Sequence, residues 1–248
     1  RSIAVTGVQT CALPISLIET FRPRLDVYAE RLDSDEEAER LTKFMREKLG
    51  DQFFRPWNKG DWKPAGAKGN RKPVTVDVVA EHVAGRKTLG FYPLHPDNTC
   101  NSVSVDFDNH RGARTTTRDP REDLDALVSI CLRRGVRFLA HHSRGGAGYW
   151  LHVLPPVGTE ARVARAVLAK LIDEAGIKHI DQGGTVDSLF PKQDKLHVAQ
   201  SGDTTIAPGN LFCLPCSRKW LCAETPGSHF LGTSPDDLDA QLAHLRSY

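Results

Sequence analysis

No apolar run in the chain is long enough to cross a bilayer. Its six cysteines are scattered over 248 residues and do not form the closely spaced framework of a small secreted domain. Those absences leave no membrane partner and make the cytosol the default compartment. Charge of one sign is also lacking, since 33 Lys and Arg against 31 Asp and Glu give a formal net charge of +2. A nucleic-acid groove would have to come from local clusters of cations rather than from overall basicity. Two clusters are present, Arg111, Arg114, Arg118 and Arg121, then Arg133, Arg134 and Arg137, although such runs are most often solvated faces. The composition, 40% hydrophobic and 26% charged, fits one large globular domain or two small ones.

Val5–Ser16, VTGVQTCALPIS, reads as the conceptual translation of a short-read sequencing adapter. Arg1–Ser16 is therefore set aside from fold reasoning, and Cys11 with it. On that reading the source is fragmentary, and more protein is expected beyond Tyr248.

Hydrophobic periodicity places the elements that follow. Leu17 to about Leu49 reads as helical, through DVYAERL and the acidic run Asp33–Glu37 to a stop at Gly50. The polar, Gly- and Pro-bearing stretch Asp51–Pro73 reads as a loop or small irregular module. Thr75–Ala84 is a helix with Thr75 as its N-cap, and TLGFYPL is a strand. Pro120–Arg134 is an amphipathic helix with Leu124, Leu127, Val128, Cys131 and Leu132 on one stripe. VRFLAHH and YWLHVLPP are hairpin strands joined by the Gly-rich turn SRGGAG. A second amphipathic helix spans Glu160–Ala175, short strands follow near Val186 and over Gly209–Pro215, and Pro235–Ser247 is helical. Strands and helices that alternate without a strict repeat predict an α/β or α+β fold with a mixed sheet.

SVSVDFDNH, Ser102–His110, carries the most chemical information. Strand alternation sends Val103, Val105 and Phe107 to one face and Ser104, Asp106 and Asp108 to the other. Two adjacent carboxylates repel unless a cation sits between them, and Mg²⁺ or Mn²⁺ with oxygen ligands fills that role in phosphoryl-transfer chemistry. Asp-x-Asp alone is equally a solvated surface pattern. Three further pieces bear on the choice. SRGGAG offers backbone N–H groups around Gly146 and Gly148, the Ser143 hydroxyl and the Arg144 guanidinium, parts suited to a triphosphate, and His152 follows on the returning strand. In TVDSLFPKQD, Asp187 could complete a three-carboxylate metal site. GNLFCLP opens with Gly209 and Asn210, where backbone can approach a ligand.

In this order the motifs resemble the primase-polymerase domain of the archaeo-eukaryotic primase superfamily, in the branch found in TOTE conflict systems. That branch shows DVYA, a segment of the form PVT…HL.GR…GVYPL, then TC…DFD, SRSG.G.H, LFP.QD and GN…LP. The chain has DVYA at Asp26–Ala29, PVTVDVVAEHVAGRKTLGFYPL at Pro73–Leu94, TCNSVSVDFDNH from Thr99, SRGGAG from Ser143, LFPKQD from Leu189 and GNLFCLP from Gly209. The resemblance covers nearly everything after residue 16. It implies a two-module α/β primase core with an RRM-like sheet carrying the acidic strand. The modules are expected over residues 17–85, helical and irregular, and 86–230, catalytic, with a C-terminal helix over 231–248. It further implies template-directed nucleotidyl transfer with two Mg²⁺ or Mn²⁺ ions on Asp106, Asp108 and Asp187. Nucleotide contacts are expected from Ser143, Arg144, Gly146, Gly148, Lys192 and Asn210. The implied partners are a DNA or RNA template and primer, nucleoside triphosphates, and a fused or co-encoded helicase and nuclease.

Two departures from the family pattern matter. Trp150 stands where the branch carries its phosphate-contacting histidine, and His152, on the same strand face about 7 Å along, is expected to take that place. The stretch Asp51–Lys72, a cysteine-rich zinc knuckle in relatives, has no cysteine here. Cys213, Cys216, Cys222 and His229 form a C-x₂-C…C…H series, but the first two fall in a strand the family keeps apolar. Buried thiols are therefore expected there, and no structural zinc. His110 reads as solvated, and Trp57, Trp62 and Trp220 as packing residues that could also stack on bases. Two other functions stay open. A primase-like module that binds nucleic-acid ends without polymerase activity is favoured by Trp150, whereas a metal-dependent nuclease leaves the triphosphate-suited turn unexplained.

Overall fold

The computed structural model describes residues 9–50, 56–67, 70–109, 118–144, 147–196, 209–217, 221–222, 225–226, 228–234 and 237–247. The first half runs α1 (Gln9–Phe21), β1 (Tyr28–Arg31), α2 (Asp35–Leu49), β2 (Trp62–Pro64), β3 (Gly66–Ala67), β4 (Asn70–Arg71), α3 (Val76–Val83) and β5 (Leu89–Phe91). The second runs β6 (Val103–Phe107), α4 (Pro120–Arg134), β7 (Phe138–His142), β8 (Tyr149–Val153), α5 (Ala161–Glu174), β9 (Val186–Phe190), β10 (Phe212–Cys213), β11 (Leu221–Cys222), β12 (Thr225–Pro226) and α6 (Leu238–Arg246). Two four-stranded sheets form, ordered β10-β5-β1-β2 and β7-β8-β6-β9, beside the short pairs β3-β4 and β11-β12. Among the described residues no helix is long and apolar enough to cross a membrane.

The second sheet follows from its connections. β6, α4, β7, β8, α5 and β9 make a β-α-β-β-α-β unit, the RRM-like arrangement, in which each helical crossover skips one strand position. β8 therefore enters between β6 and β7 and β9 takes the far side of β6, so every neighbour is antiparallel where a mixed sheet was expected. The acidic strand β6 is interior. Val103, Val105 and Phe107 are at most 1% exposed and pack with Leu124 and Leu127 of α4 and Leu168 of α5. Each such burial contributes on the order of 1.5–3 kcal/mol, and it turns Ser104 and Asp106 away from the helices. α4 has its expected limits. Asp119 accepts from the Arg121 N–H at 2.8 Å, and Gly135 ends the helix in the left-handed region at φ 62°.

The first sheet corrects the expectation of one helix from Leu17 to Leu49. α1 stops at Phe21, two residues before Pro23, and the DVYA segment passes into strand β1, paired antiparallel with β2 and β5. α2 begins anew because the Glu37 N–H donates to Ser34 Oγ (3.1 Å) and the Asp33 N–H donates to Glu37 Oε2 (3.0 Å). The sheet draws strands from both sides of residue 85, β1 and β2 before it, β5 and β10 after. Leu17 and Phe21 of α1, Val79 of α3 and Leu245 of α6 share a core with Phe91 and Phe212. Leu13 belongs to the same core, so α1 reaches into the stretch ahead of residue 17. Leu13→Ala and Leu17→Ala should each cost roughly 2–5 kcal/mol in urea unfolding. A Leu13→Ala variant as stable as the parent would show that the stretch before residue 17 is no part of the fold.

Candidate active site

A cleft of about 730 Å³ opens between the two sheets. The RRM-like sheet supplies Asp106, Asp108, Trp150 and Phe190, and the other side supplies Trp62, Pro64, Tyr92, Leu211 and Cys213. The β7-β8 turn adds Ser143, Arg144, Ala147 and Gly148, and Lys192, Gly209 and Asn210 complete the lining. Asp106, Asp108, Ser143, Arg144, Gly148, Lys192 and Asn210 are thus brought together as expected, while Gly146 and His110 lie outside the described residues. Of the arginine clusters, Arg111 and Arg114 also lie outside them. Arg118 pairs with Asp123, Arg121 with Asp125 and Arg134 with Glu174, and none of these lines the cleft.

Local structure explains the convergence. The turn closes on itself, the Ser143 N–H donating to Gly148 O (2.8 Å) and the Gly148 N–H to Ser143 Oγ (3.2 Å). A Cβ on Gly148 would lie 2.5 Å from the Phe107 carbonyl oxygen and 3.5 Å from Asp108 Cγ, so glycine lets the turn press on the end of the acidic strand. Lys192, beyond β9, holds its ammonium 5.1 Å from the Phe190 ring centroid. Asp194, two residues on, pairs with Arg165 of α5 and tethers that segment.

Burial pushes the Asp106 carboxyl well above the usual carboxylate range, and the charges of Asp108 and Asp187 push it the same way. Lys192 and Arg144 pull it back. Burial in turn draws the Arg144 guanidinium below its ordinary value. A hard dication between two such carboxylates would relieve the strain, and their oxygens are the ligands Mg²⁺ and Mn²⁺ take, so the pair fits the implied metal. Asp187 sits elsewhere. Asp106 faces Ser188 and Phe107 faces Val186, which leaves Asp187 as the extra residue of a bulge, in electrostatic reach of Asp106 but not among the cleft-lining residues. Among the described residues no three His, Cys, Asp or Glu side chains form a metal-holding group.

The model of the TOTE conflict system, Archaeo-Eukaryotic Primase domain family matches residues 15–247. The chain belongs to that family. No curated protein matches it. Among solved structures, the polymerase domain of Mycobacterium tuberculosis ligase D in complex with DNA is similar with a TM-score of 0.45 and 9% sequence identity, over 97% of this chain and 87% of that one.

In this primase domain His152 is not at the cleft, which corrects its expected place among the nucleotide contacts. It shares a sheet face with Trp150, but that face is divided. Phe21 of α1 and Phe212 of β10 cover the half holding Ser104 and His152, their ring centroids 4.9 and 4.8 Å from the imidazole. The half holding Asp106 and its register partner Trp150 lines the cleft. His152 is fully buried, and its bonding is set by one carbonyl. The His142 carbonyl can only accept, so His141 Nδ1 carries a proton and donates to it (2.8 Å). His141 Nε2 then accepts from His152 Nε2–H (2.9 Å), and His152 Nδ1 accepts from the Ser104 hydroxyl (2.6 Å).

Several cleft residues were not found from the sequence. Tyr92 could have been, because Leu89 and Phe91 alternate with Gly90 and Tyr92 along TLGFYPL; Phe190 depends on a pairing far apart in the chain. Trp62, expected as a packing residue that could also stack on a base, does line the cleft. Of the cysteine series, Cys213 lines the cleft with its thiol pushed by burial up to about 11, and Cys216 is buried in the core with its thiol pushed up as well. His229 stacks on His142 at 4.4 Å.

Burial holds the inner histidines neutral: His141 falls to about 3, His82 of α3 to about 4, and His152 well below its ordinary value. An unfolded histidine titrates near ~6.5. The unfolded chain therefore takes up these protons first, and the stability present above that pH is lost as pH falls, by up to ~1.4 kcal/mol per pH unit for each histidine. Asp106, raised rather than lowered, acts in the opposite direction but is one group against three. The urea midpoint should fall steeply from about pH 6.5 toward pH 4; a flat midpoint across that window would contradict the buried neutral network.

Proposed function

We propose that this primase domain is a template-directed nucleotidyltransferase that polymerises nucleoside triphosphates on a nucleic-acid template. The observation that carries the reading is the meeting, in one cleft, of the strand carboxylates Asp106 and Asp108 with Ser143, Arg144, Gly148 and Lys192. Asp106 and Asp108 would hold the Mg²⁺ or Mn²⁺ ions, with the charge of Asp187 at the bulge in reach of Asp106. Bound there, the ions supply the charge that acidifies an attacking 3′-hydroxyl and steadies the departing pyrophosphate. The chain's own groups do the rest. Arg144 and Lys192 hold the phosphate oxygens through charge-assisted hydrogen bonds, and the Ser143 hydroxyl orients them. Arg144 is partly withdrawn from water, which keeps its charge less screened. Trp62, half-buried on the wall opposite the acidic strand, offers a ring for a base to stack on, with the buried Tyr92 packed in the same wall.

Trp150 supports a second reading. The buried Trp150 lines the cleft where the family's histidine would stand, and the histidine two residues on is sealed in the core, an arrangement suited to a primase-like module that binds nucleic acid without extending it. Primer extension with labelled nucleotide separates the two. Wild type should extend a primed template only with Mg²⁺ or Mn²⁺, and Asp106→Asn or Asp108→Asn should each lower the rate by about 100-fold or more. A wild type that binds the primed template but yields no metal-dependent product would overturn the polymerase reading in favour of the second.

A further inference from the structure

Asp123 in the first turn of α4 is where a helix ordinarily places an exposed acid to complement its dipole. Here the side chain is fully buried and both carboxylate oxygens are engaged. Oδ1 accepts from Arg118, from Nε at 2.8 Å and Nη2 at 2.7 Å, and Oδ2 accepts from the Thr185 hydroxyl at 2.6 Å. With the carboxylate buried and the Arg118 guanidinium about half exposed, the pair adds little net stability, because desolvation of the carboxylate offsets the attraction. The pair is better explained by what it holds in place.

Thr185 is also fully buried, and its carbonyl accepts the Asp108 N–H at 2.9 Å. The backbone on either side is stiff. A Cβ on Gly184 would lie 1.9 Å from the Lys178 carbonyl oxygen, the Gly184 N–H donates to His179 O (3.0 Å), and the Val186 N–H donates to Lys178 O (3.2 Å). Asp187 comes two residues after Thr185, at the bulge beside Asp106 and Phe107. One buried carboxylate thus grips the residue that anchors Asp108 directly and that leads into Asp187.

We propose that Asp123, acting through Thr185, is a positioning residue that sets the spacing of the cleft carboxylates for a divalent cation. Asp123 touches neither substrate nor metal. The proposal rests on the reading of Asp106 and Asp108 as metal ligands, and its test keeps the two separable. Mn²⁺ alone is titrated into the full chain and free ion is read by electron paramagnetic resonance, alongside urea unfolding of each variant. Thr185→Val, equal in shape but without the hydroxyl, should weaken Mn²⁺ binding about 10-fold or more. Thr185→Ser should bind as wild type does. Asp123→Asn, a second variant that keeps the shape but turns one acceptor into an amide, should weaken binding in the same direction. Leu168→Ala, a cavity in the α5 core, should lower stability and leave Mn²⁺ affinity unchanged. If Asp108→Asn abolishes binding while Thr185→Val and Asp123→Asn bind as wild type, or while Leu168→Ala weakens binding as much as they do, the positioning role is overturned and the metal site stands. If wild type takes up no Mn²⁺, or Asp108→Asn binds undiminished, the metal-site reading falls and this proposal with it.

Discussion

Asp106 on β6 and Asp108 just past its end line one cleft, with the charge of Asp187 in reach of Asp106. Concentrating negative charge where water is partly excluded is costly unless positive charge stands close by, and much of the molecule is arranged around that cost. β6 is interior to its sheet, so the positions of its carboxylates are fixed from two sides by β8 and β9 and from behind by Val105 and Phe107 in the helix-side core. Gly148 lets the neighbouring turn close against the strand end without a side chain in the way. Arg144 and Lys192 arrive from opposite sides of the sheet order and pull the Asp106 carboxyl back toward ionisation. A dication in that cleft would offset negative charge in the same way.

The same sheet face serves two purposes. Over Ser104 and His152 it is roofed by Phe21 and Phe212, and a neutral hydrogen-bonded ladder of Ser104, His152 and His141 satisfies the polar groups trapped beneath. Over Asp106 and Trp150 it borders the cleft, with Trp62 and Tyr92 in the opposite wall. The boundary between a dry core and a working cleft falls between residues two apart on one strand. The first sheet and α1 therefore act as more than a scaffold, since they decide which half of the acidic face borders the cleft.

Local signals were legible where the cause is local. Asp119, Pro120 and Gly135 mark α4, Thr75 marks α3, and the alternation of SVSVDFD gives both faces of β6. The order of motifs, through the family resemblance, anticipated that Asp106, Ser143, Lys192 and Asn210 would meet. DVYAERL was misjudged because a four-residue strand is defined by its partners, Trp62–Pro64 and Leu89–Phe91, rather than by its own pattern, although Ser34 and Glu37 were a readable start for α2. Periodicity placed His152 on the correct face but could not show what covers that face. Asp123 looks like an ordinary first-turn acid until Thr185, 62 residues away, closes over it.

A cleft built for a metal-bound polyphosphate would hold the metal on Asp106 and Asp108. Anomalous scattering from Mn²⁺ in crystals grown with Mn²⁺ and a deoxynucleoside triphosphate tests it most directly. The strongest anomalous peak is expected in contact with both carboxylates, with the phosphates running toward Arg144 and Lys192. Triphosphate bound elsewhere, or Asp106 and Asp108 contacting only Arg144 and Lys192 with no Mn²⁺ between them, would contradict it.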